Sequence, residues 1–383
     1  MGEVYLDHSA TSPLRPEAFE AVRKALLEEW GNPSSVHRKG VGAERLMEGS
    51  RQVLADALRV SPEEVIFTSG ATEANNLAVK GVARALGRYG NHLITTRVEH
   101  PSVYEAFKDL EDEGFQVTYL HVDREGIVDP EELRKAITPR TILVSVMHVN
   151  NETGAVQPIQ EIGSVLKGIR EKIVFHVDAV QSFCKMPVLP YEWGIDLVSL
   201  SSHKIGGPKG VGALFMRKGV KVAPVLSGGG QEKGLRSGTE NVPGIAGFAA
   251  AVAACNWKEE SARLWHLRRR LLERALKIDG AVLVGPTSEE RCAPHIVNLS
   301  FPGLRGELLL HHLEEQGVYV STGSACSSRK RAPSRVLVSM GLPQRDVEGS
   351  IRISMGWNTT EGEVEYACQV VASCVEKLRA LVR

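Results

Sequence analysis

The run Ile195-Asp196-Leu197-Val198-Ser199-Leu200-Ser201-Ser202-His203-Lys204, followed by Ile205-Gly206-Gly207-Pro208-Lys209-Gly210, decides how the whole chain is read. An apolar stretch that stops at small hydroxyl residues and a glycine turn reads as a buried strand delivering its end to a crevice. Lys204 then sits where burial disfavours the ammonium form, so its amine can attack a carbonyl carbon and form a Schiff base. A lysine taken at random is a solvated surface cation. Lys204 becomes more than that only if other segments supply an anion cradle, a carboxylate and a stacking group.

Outward from this run, short apolar segments at 65–68, 92–96, 117–122, 142–147, 173–177, 197–200 and 211–216 alternate with longer amphipathic ones around 102–113, 130–138 and 158–171. That rhythm predicts an α/β fold with a mostly parallel sheet covered on both faces and ligand groups gathered at the carboxyl ends of its strands. After about residue 255 the character changes to a charged, leucine-bearing stretch over 258–277. The predicted division is a large α/β domain over 14–256 and a smaller α+β domain over 257–383 joined by residues 1–13. In the last helix, Val364, Ala367, Val371, Cys374, Leu378 and Leu381 recur at helical spacing, which assigns Cys374 to the core.

With 46 acidic and 46 basic side chains among 383 residues, the chain has no global field for nucleic acid or an anionic membrane. The N-terminus lacks a basic region followed by an apolar run, and no apolar stretch is long enough to span a bilayer, so a cytoplasmic location is expected. The six cysteines are dispersed without a C-x-x-C pair, which argues against a disulfide framework and a structural zinc site.

Thr68-Ser69-Gly70-Ala71-Thr72-Glu73 follows a strand and opens a helical run, so its N–H groups can seat a phosphate; an ordinary capped helix start is the plainer reading. Asp178 closes a strand and can hold a pyridinium nitrogen protonated, or simply cap the next helix. Gln181 lies one turn further on if that segment is helical. His100, before Pro101, can stack on a ring and carry protons, although a loop histidine is more often a cap. Asn151, within Asn150-Asn151-Glu152-Thr153-Gly154, offers an amide to a ring oxygen and to substrate, and turn chemistry explains the segment equally well. Arg352 alternates with Ile351 and Ile353 and can clamp a carboxylate; otherwise it is an exposed strand arginine. Cys326 lies in the small, polar run Ser321 to Pro333 before Arg329-Lys330-Arg331, which reads as a mobile loop whose cations favour a thiolate, or as a free thiol in a solvated loop.

In order along the chain, Tyr5-Leu6-Asp7, Gly31-Asn32-Pro33-Ser34-Ser35, Ala71-Thr72-Glu73, Glu99-His100, His148-Val149-Asn150-Asn151-Glu152, His176-Val177-Asp178-Ala179-Val180-Gln181, Ser201-Ser202-His203-Lys204, Gly228-Gly229-Gly230-Gln231-Glu232, Arg236-Ser237-Gly238-Thr239 and Gly323-Ser324-Ala325-Cys326 closely resemble the cysteine desulfurases of the NifS/IscS type. These are pyridoxal-phosphate enzymes of the class V aminotransferase family with the aspartate-aminotransferase-like fold type I. The resemblance implies that Lys204 carries the cofactor, His100 stacks on its ring, Asp178 pairs with its nitrogen, and Asn151 and Gln181 contact its ring oxygen. It further implies that Ala71, Thr72, Ser201 and His203 hold the phosphate together with Thr239 of a second subunit, making a homodimer. Arg352 would bind the carboxylate of L-cysteine. Cys326 would receive the sulfur as a persulfide and pass it to an iron–sulfur scaffold protein or a tRNA-thiolation relay, and it is a candidate transient iron–sulfur ligand. His8-Ser9 departs from the Asn-Asn common in the family. A selenocysteine lyase, another fold-type-I lyase or aminotransferase, and a binding protein that keeps the fold without the activity are the competing readings; Cys326 favours the desulfurase.

Overall fold

The computed structural model describes residues 2–169, 173–322 and 333–382. Its centre is a seven-stranded sheet in the order Val65–Thr68, Gly212–Met216, Leu197–Ser201, Val174–Asp178, Thr141–Met147, His92–Thr96 and Gln116–Leu120. Only Gly212–Met216 runs against its neighbours; the other pairings in the sheet are parallel. The expected α/β class with a mostly parallel sheet is what the chain forms, and the strand ends differ from the expected ones by one or two residues.

Period-two alternation places each strand's apolar residues into two cores at once. Phe67, Ile94, Val144, Phe175, Val198 and Phe215 pack into the core on one face. Their neighbours Ile66, Leu93, Leu143, Val174, Leu197 and Leu214 join the core on the other, against Leu77, Val82 and Phe107. Covered on both sides, the sheet opens to ligands only at its strand ends.

A separate core joins Leu264, Leu267 and Leu271 of helix Trp257–Ala275 to Leu299, Ile351 and Ile353 and to Val364, Val371 and Cys374 of helix Glu361–Val382. Its sheet is the antiparallel trio Ser350–Ser354, Ile296–Ser300 and Val282–Val284. Val4 and Leu6 enter the same core, and Val4–Tyr5 pairs in parallel with Val318–Tyr319. Cys374 is buried as the helical spacing predicts, but Leu381 is exposed because it falls in the last turn, beyond the partner elements.

Two other expectations need correction. The segment after Asp178 is a succession of turns rather than a helix, with Phe183 N–H bonded to the Ala179 carbonyl and Met186 N–H to that of Ser182. The strand carrying Arg352 is buried on both faces, so Arg352 is not an exposed arginine. Its apolar face packs into the second core, while Ser350 Oγ bonds Asn298, whose amide reaches the Glu152 carbonyl at 3.2 Å.

One buried ion pair fastens the glycine-rich segment 228–238 to the main sheet. Arg51 donates to both carboxylate oxygens of Glu232, at 2.7 and 3.0 Å, and to the Val65 carbonyl. Glu232 also accepts from Phe67 N–H at 2.7 Å. Removing Glu232 leaves the buried Arg51 the more exposed Glu48 as its anion, at 3.1 Å, a loss of up to about 3–5 kcal/mol. Glu232→Ala is therefore expected to lower the urea unfolding midpoint by an amount in that range. Arg51→Met combined with Glu232→Leu is expected to cost less than Glu232→Leu alone.

Candidate active site

Most of the sequence-predicted residues follow the carboxyl ends of strands of one sheet. Val65–Thr68 leads to Ala71 and Thr72, His92–Thr96 to His100, Thr141–Met147 to Asn151, Val174–Asp178 to Gln181, and Leu197–Ser201 to Lys204. Gly212 lets the first of these turns approach closely: a Cβ there would meet the Leu200 carbonyl oxygen at 2.6 Å and the Gly70 carbonyl carbon at 2.7 Å.

Lys204 is half-buried at the end of the short 3-10 turn Ser202–Lys204. Its ammonium donates to the carbonyls of Ser9 and Ala10 at 2.5 and 2.6 Å. Gln181 Nε2 bonds the same Ser9 carbonyl at 3.0 Å, and the buried Gln181 Oε1 has no partner among the described residues. His203 Nδ1 lies 3.2 Å from Thr11 Oγ1. Burial pushes its imidazole down to about 3, helped by the Lys204, Lys209 and Lys185 ammoniums, so His203 is a neutral donor or acceptor.

Asp178 is buried, with Oδ2 accepting from Asn75 Nδ2 at 2.8 Å and Oδ1 from Val180 N–H at 3.0 Å. Asn75 also reaches Ser102 Oγ, which sits 2.8 Å from His100 Nδ1. His100 caps helix Pro101–Asp112, its Nδ1 accepting from Ser102 N–H. That bond leaves the proton of the neutral ring on Nε2. Burial lowers the His100 pKa; Asp178 opposes the shift, and Lys204 adds to it. The imidazole thus feels both the carboxylate and the amine.

Arg352, 2% exposed, donates to Asp7 Oδ1 at 2.6 Å and to the Asn151 carbonyl at 2.9 Å, and its Nε has no partner among the described residues. Turn chemistry falls to Asn150, whose Oδ1 accepts from Glu152 N–H and Thr153 N–H. The amide of half-buried Asn151 stays outside that turn's bonding. Thr239 is exposed before helix Val242–Ala253.

Cys326 lies outside the described residues. The chain on either side of it is anchored at the site. Ser321 exchanges backbone hydrogen bonds with Arg352, at 3.1 and 2.6 Å. Beyond, Ser334 Oγ donates to the buried Glu152, and Arg335 donates to the carbonyls of Arg97 and Glu99. Burial pushes the Glu99 carboxyl up to about 8, so it is protonated at neutral pH while it joins two strand ends through Thr96 Oγ1 and Met147 N–H. Sequence reasoning gave no role to Asn75, Ser102 or Glu152. Asn75 was within reach of it, since positions 71, 72 and 75 share one helix face.

A strand-end lysine, a buried aspartate and a capping histidine around an open helix N-terminus define a class of protein, and the chain belongs to it: the aminotransferase class-V family matches residues 4–367. The chain is 47% identical over 382 residues to a cysteine desulfurase IscS of Dictyoglomus turgidum, covering 99% of this chain and 96% of that one. It is 46% identical to a cysteine desulfurase IscS of Methanosarcina thermophila, covering 98% and 93%. Among solved structures, a NifS-like protein superposes with a TM-score of 0.92 at 38% identity, covering 98% of this chain and 100% of that one. SspA in complex with cysteine superposes at 0.82 with 34% identity, covering 92% and 98%.

Cysteine desulfurases of this family use pyridoxal phosphate, and the residues present fit it. Gly70, at φ 154°, caps helix Ala71–Leu86 without a side chain, leaving first-turn N–H groups open to an anion. Ser202 Oγ and Gln181 Oε1 are buried polar atoms with no hydrogen-bond partner among the described residues.

Asn75→Ala leaves Asp178 a single donor and is expected to weaken retention of the bound cofactor about tenfold, read as absorbance remaining after dialysis. Burial also holds His8 and His176 down to about 3 and His148 to about 4, as it does His203. Their ordinary value is about 6.5, so as pH falls the unfolded chain protonates first. The contribution to stability is intact above pH ~6.5 and declines from there toward the folded values. Each group costs up to about 1.4 kcal/mol per pH unit in that window. The urea midpoint is expected to fall between pH 7 and 5, and His176→Gln to make that fall shallower.

Proposed function

We propose that this chain is a cysteine desulfurase that removes sulfur from L-cysteine, yields L-alanine, and carries the sulfur on Cys326. What supports this reading is that the His100 imidazole feels both Asp178 and Lys204, that Arg352 is bonded to Asp7 and to the Asn151 carbonyl, and that the residues flanking the Cys326 segment are bonded to Arg352 and Glu152. A related protein, SspA, is known with cysteine bound.

In this reading Ala71, Thr72, Ser201 and His203 hold the cofactor phosphate, Asp178 its ring nitrogen, Asn151 and Gln181 its ring oxygen, His100 its face and Lys204 its aldehyde. Bound pyridoxal phosphate supplies an electron sink that weakens bonds at the substrate Cα and, through it, the carbon–sulfur bond. Lys204 Nζ moves the proton at Cα, and His100 Nε2 moves the proton of the substrate thiol. Arg352 binds the substrate carboxylate, with Asp7 holding one edge of the guanidinium and fixing its plane. The Cys326 thiolate takes the sulfur as a persulfide. We further infer a cytoplasmic homodimer in which Thr239 completes the phosphate site of the partner, and sulfur delivery to an iron–sulfur scaffold protein or a tRNA-thiolation relay. Cys326 is also our candidate for a transient ligand to a cluster passing through. Among the described residues no helix is long and apolar enough to cross a membrane, and no His/Cys/Asp/Glu cluster could hold a metal.

The test is turnover of L-cysteine by the cofactor-loaded protein, with alanine and sulfur quantified together. We expect equal amounts of both, a persulfide label mapping to Cys326, and loss of that label and of turnover in Cys326→Ala. Alanine production that persists in Cys326→Ala, or its absence in the unsubstituted protein, overturns the reading.

A further inference from the structure

A second group of reactive side chains lies beside Lys204 and is unused by the desulfurase chemistry. Cys184, Lys185, Cys255 and Glu260 line a small cleft together with Arg15 and Lys204. Cys184 belongs to the turns after Asp178, and Cys255 to the linker between helices Val242–Ala253 and Trp257–Ala275. Although 71 positions apart, they meet: the Cys255 thiol donates to the Cys184 carbonyl oxygen at 2.9 Å, and each thiol lies close enough to perturb the other. Both are half-buried, so small solutes can reach them. Cys292, Cys368 and Cys374 are buried instead.

The residue between this pair and the main core is unusual. Lys185 is 6% exposed, yet its Nζ has no hydrogen-bond partner among the described residues. Glu260, the nearest candidate acceptor in the cleft, is already held by Arg15 at 2.5 Å. Burial pushes the Lys185 ammonium down to about 8, and the thiols Cys255 and Cys184 are the first groups that pull it back up. A buried cation without a fixed anion favours ionisation of a neighbouring thiol.

We propose that Cys184 and Cys255 form an oxidisable dithiol that closes to a disulfide under hydrogen peroxide, with Lys185 as the cation that supports the attacking thiolate. Hydrogen bonding and burial raise the Cys184 thiol well above its usual value, which leaves the attack to Cys255. Its thiolate attacks one peroxide oxygen; the O–O bond breaks, water leaves after protonation, and a sulfenic acid remains on Cys255. The Cys184 sulfur then attacks that sulfur, the S–O bond breaks, and a second water leaves with the Cys184 proton. Across both steps two thiols lose two protons and two electrons, and one peroxide becomes two waters. The disulfide bolts the linker between the two cores to the turns that carry Gln181. This site stands independently of the desulfurase reading.

The experiment uses the cofactor-loaded protein and, in parallel, its Cys326→Ala variant, so that Cys326 does not compete for oxidant. Each is treated with hydrogen peroxide, alkylated, and mapped without reduction. The expected result is a mass loss of about 2 Da and one cross-linked peptide pair containing Cys184 and Cys255, both reversed by dithiothreitol. Cys255→Ala and Cys255→Ser each remove that pair. Lys185→Met slows closure about fivefold or more, and Lys185→Arg keeps it within about twofold of the parent. Cys184 and Cys255 both remaining alkylatable after peroxide, or a cross-link joining other cysteines, overturns the proposal. Closure as fast in Lys185→Met as in the parent overturns the part given to Lys185.

Discussion

The first dozen residues bind the rest of the molecule together, because they belong to one core and contact the chemistry of the other. Val4 and Leu6 are buried with the second core, and Val4–Tyr5 adds a strand there. A few residues later, the carbonyls of Ser9 and Ala10 receive Lys204, Ser9 also receives Gln181, and Thr11 meets His203. Asp7 pairs with Arg352. Main-chain carbonyls in this segment can position an amine only if the segment itself cannot shift. Burial of His8 at 1% exposure prevents that, with its ring pressed against Gly356, where a Cβ would come within 2.0 Å of it. His8 thus acts as a buried wedge, and the contact to Lys204 is made through backbone atoms that any side chain supplies.

From this constraint comes the division of labour in the crevice. The parallel sheet supplies rigid strand ends, and the second core supplies Arg352 from a strand buried on both faces. Several polar groups between them are tied to backbone: His100 to Ser102 N–H, Asn150 to Val98 O, Gln157 to Gly126 O. Side chains fixed in this way hold their geometry without reorganising when charge develops nearby, which is the condition for electrostatic stabilisation in a dry site. His100 illustrates the economy of the arrangement. The cap and the ring face are not alternatives, since one nitrogen serves the helix while the other stays available.

Much of this was legible in the sequence because burial on both faces writes an unbroken apolar run, and each run here ends in a polar cluster. Asp178, Ser201 and Lys204 could be placed at strand ends from that pattern alone. Whatever depends on distance across the fold could not be read. The bond from Asn75 to Asp178 spans 103 positions, and that from Arg352 to Asp7 spans 345. The turns after Asp178 read as helix because Ala179-Val180-Gln181-Ser182-Phe183 has helical composition, whereas its hydrogen bonds are isolated turns with Cys184 at φ 59° among them. The meeting of Cys184 and Cys255 was equally hidden. A scan for closely spaced cysteines detects only neighbours along the chain.

The pairing of Arg51 with Glu232 carries an implication for how such a sequence can drift. Glu232 and Lys233 both adopt left-handed backbone angles, φ 44° and 58°, which non-glycine residues hold only when surrounding contacts compel them. The guanidinium fork and Phe67 N–H provide that compulsion from helix Arg38–Leu58 and from the sheet edge. Exchanging Arg51 alone maroons Glu232, whereas Arg51 without Glu232 keeps Glu48 at 3.1 Å. The two columns are therefore expected to covary in an alignment, although 181 residues separate them.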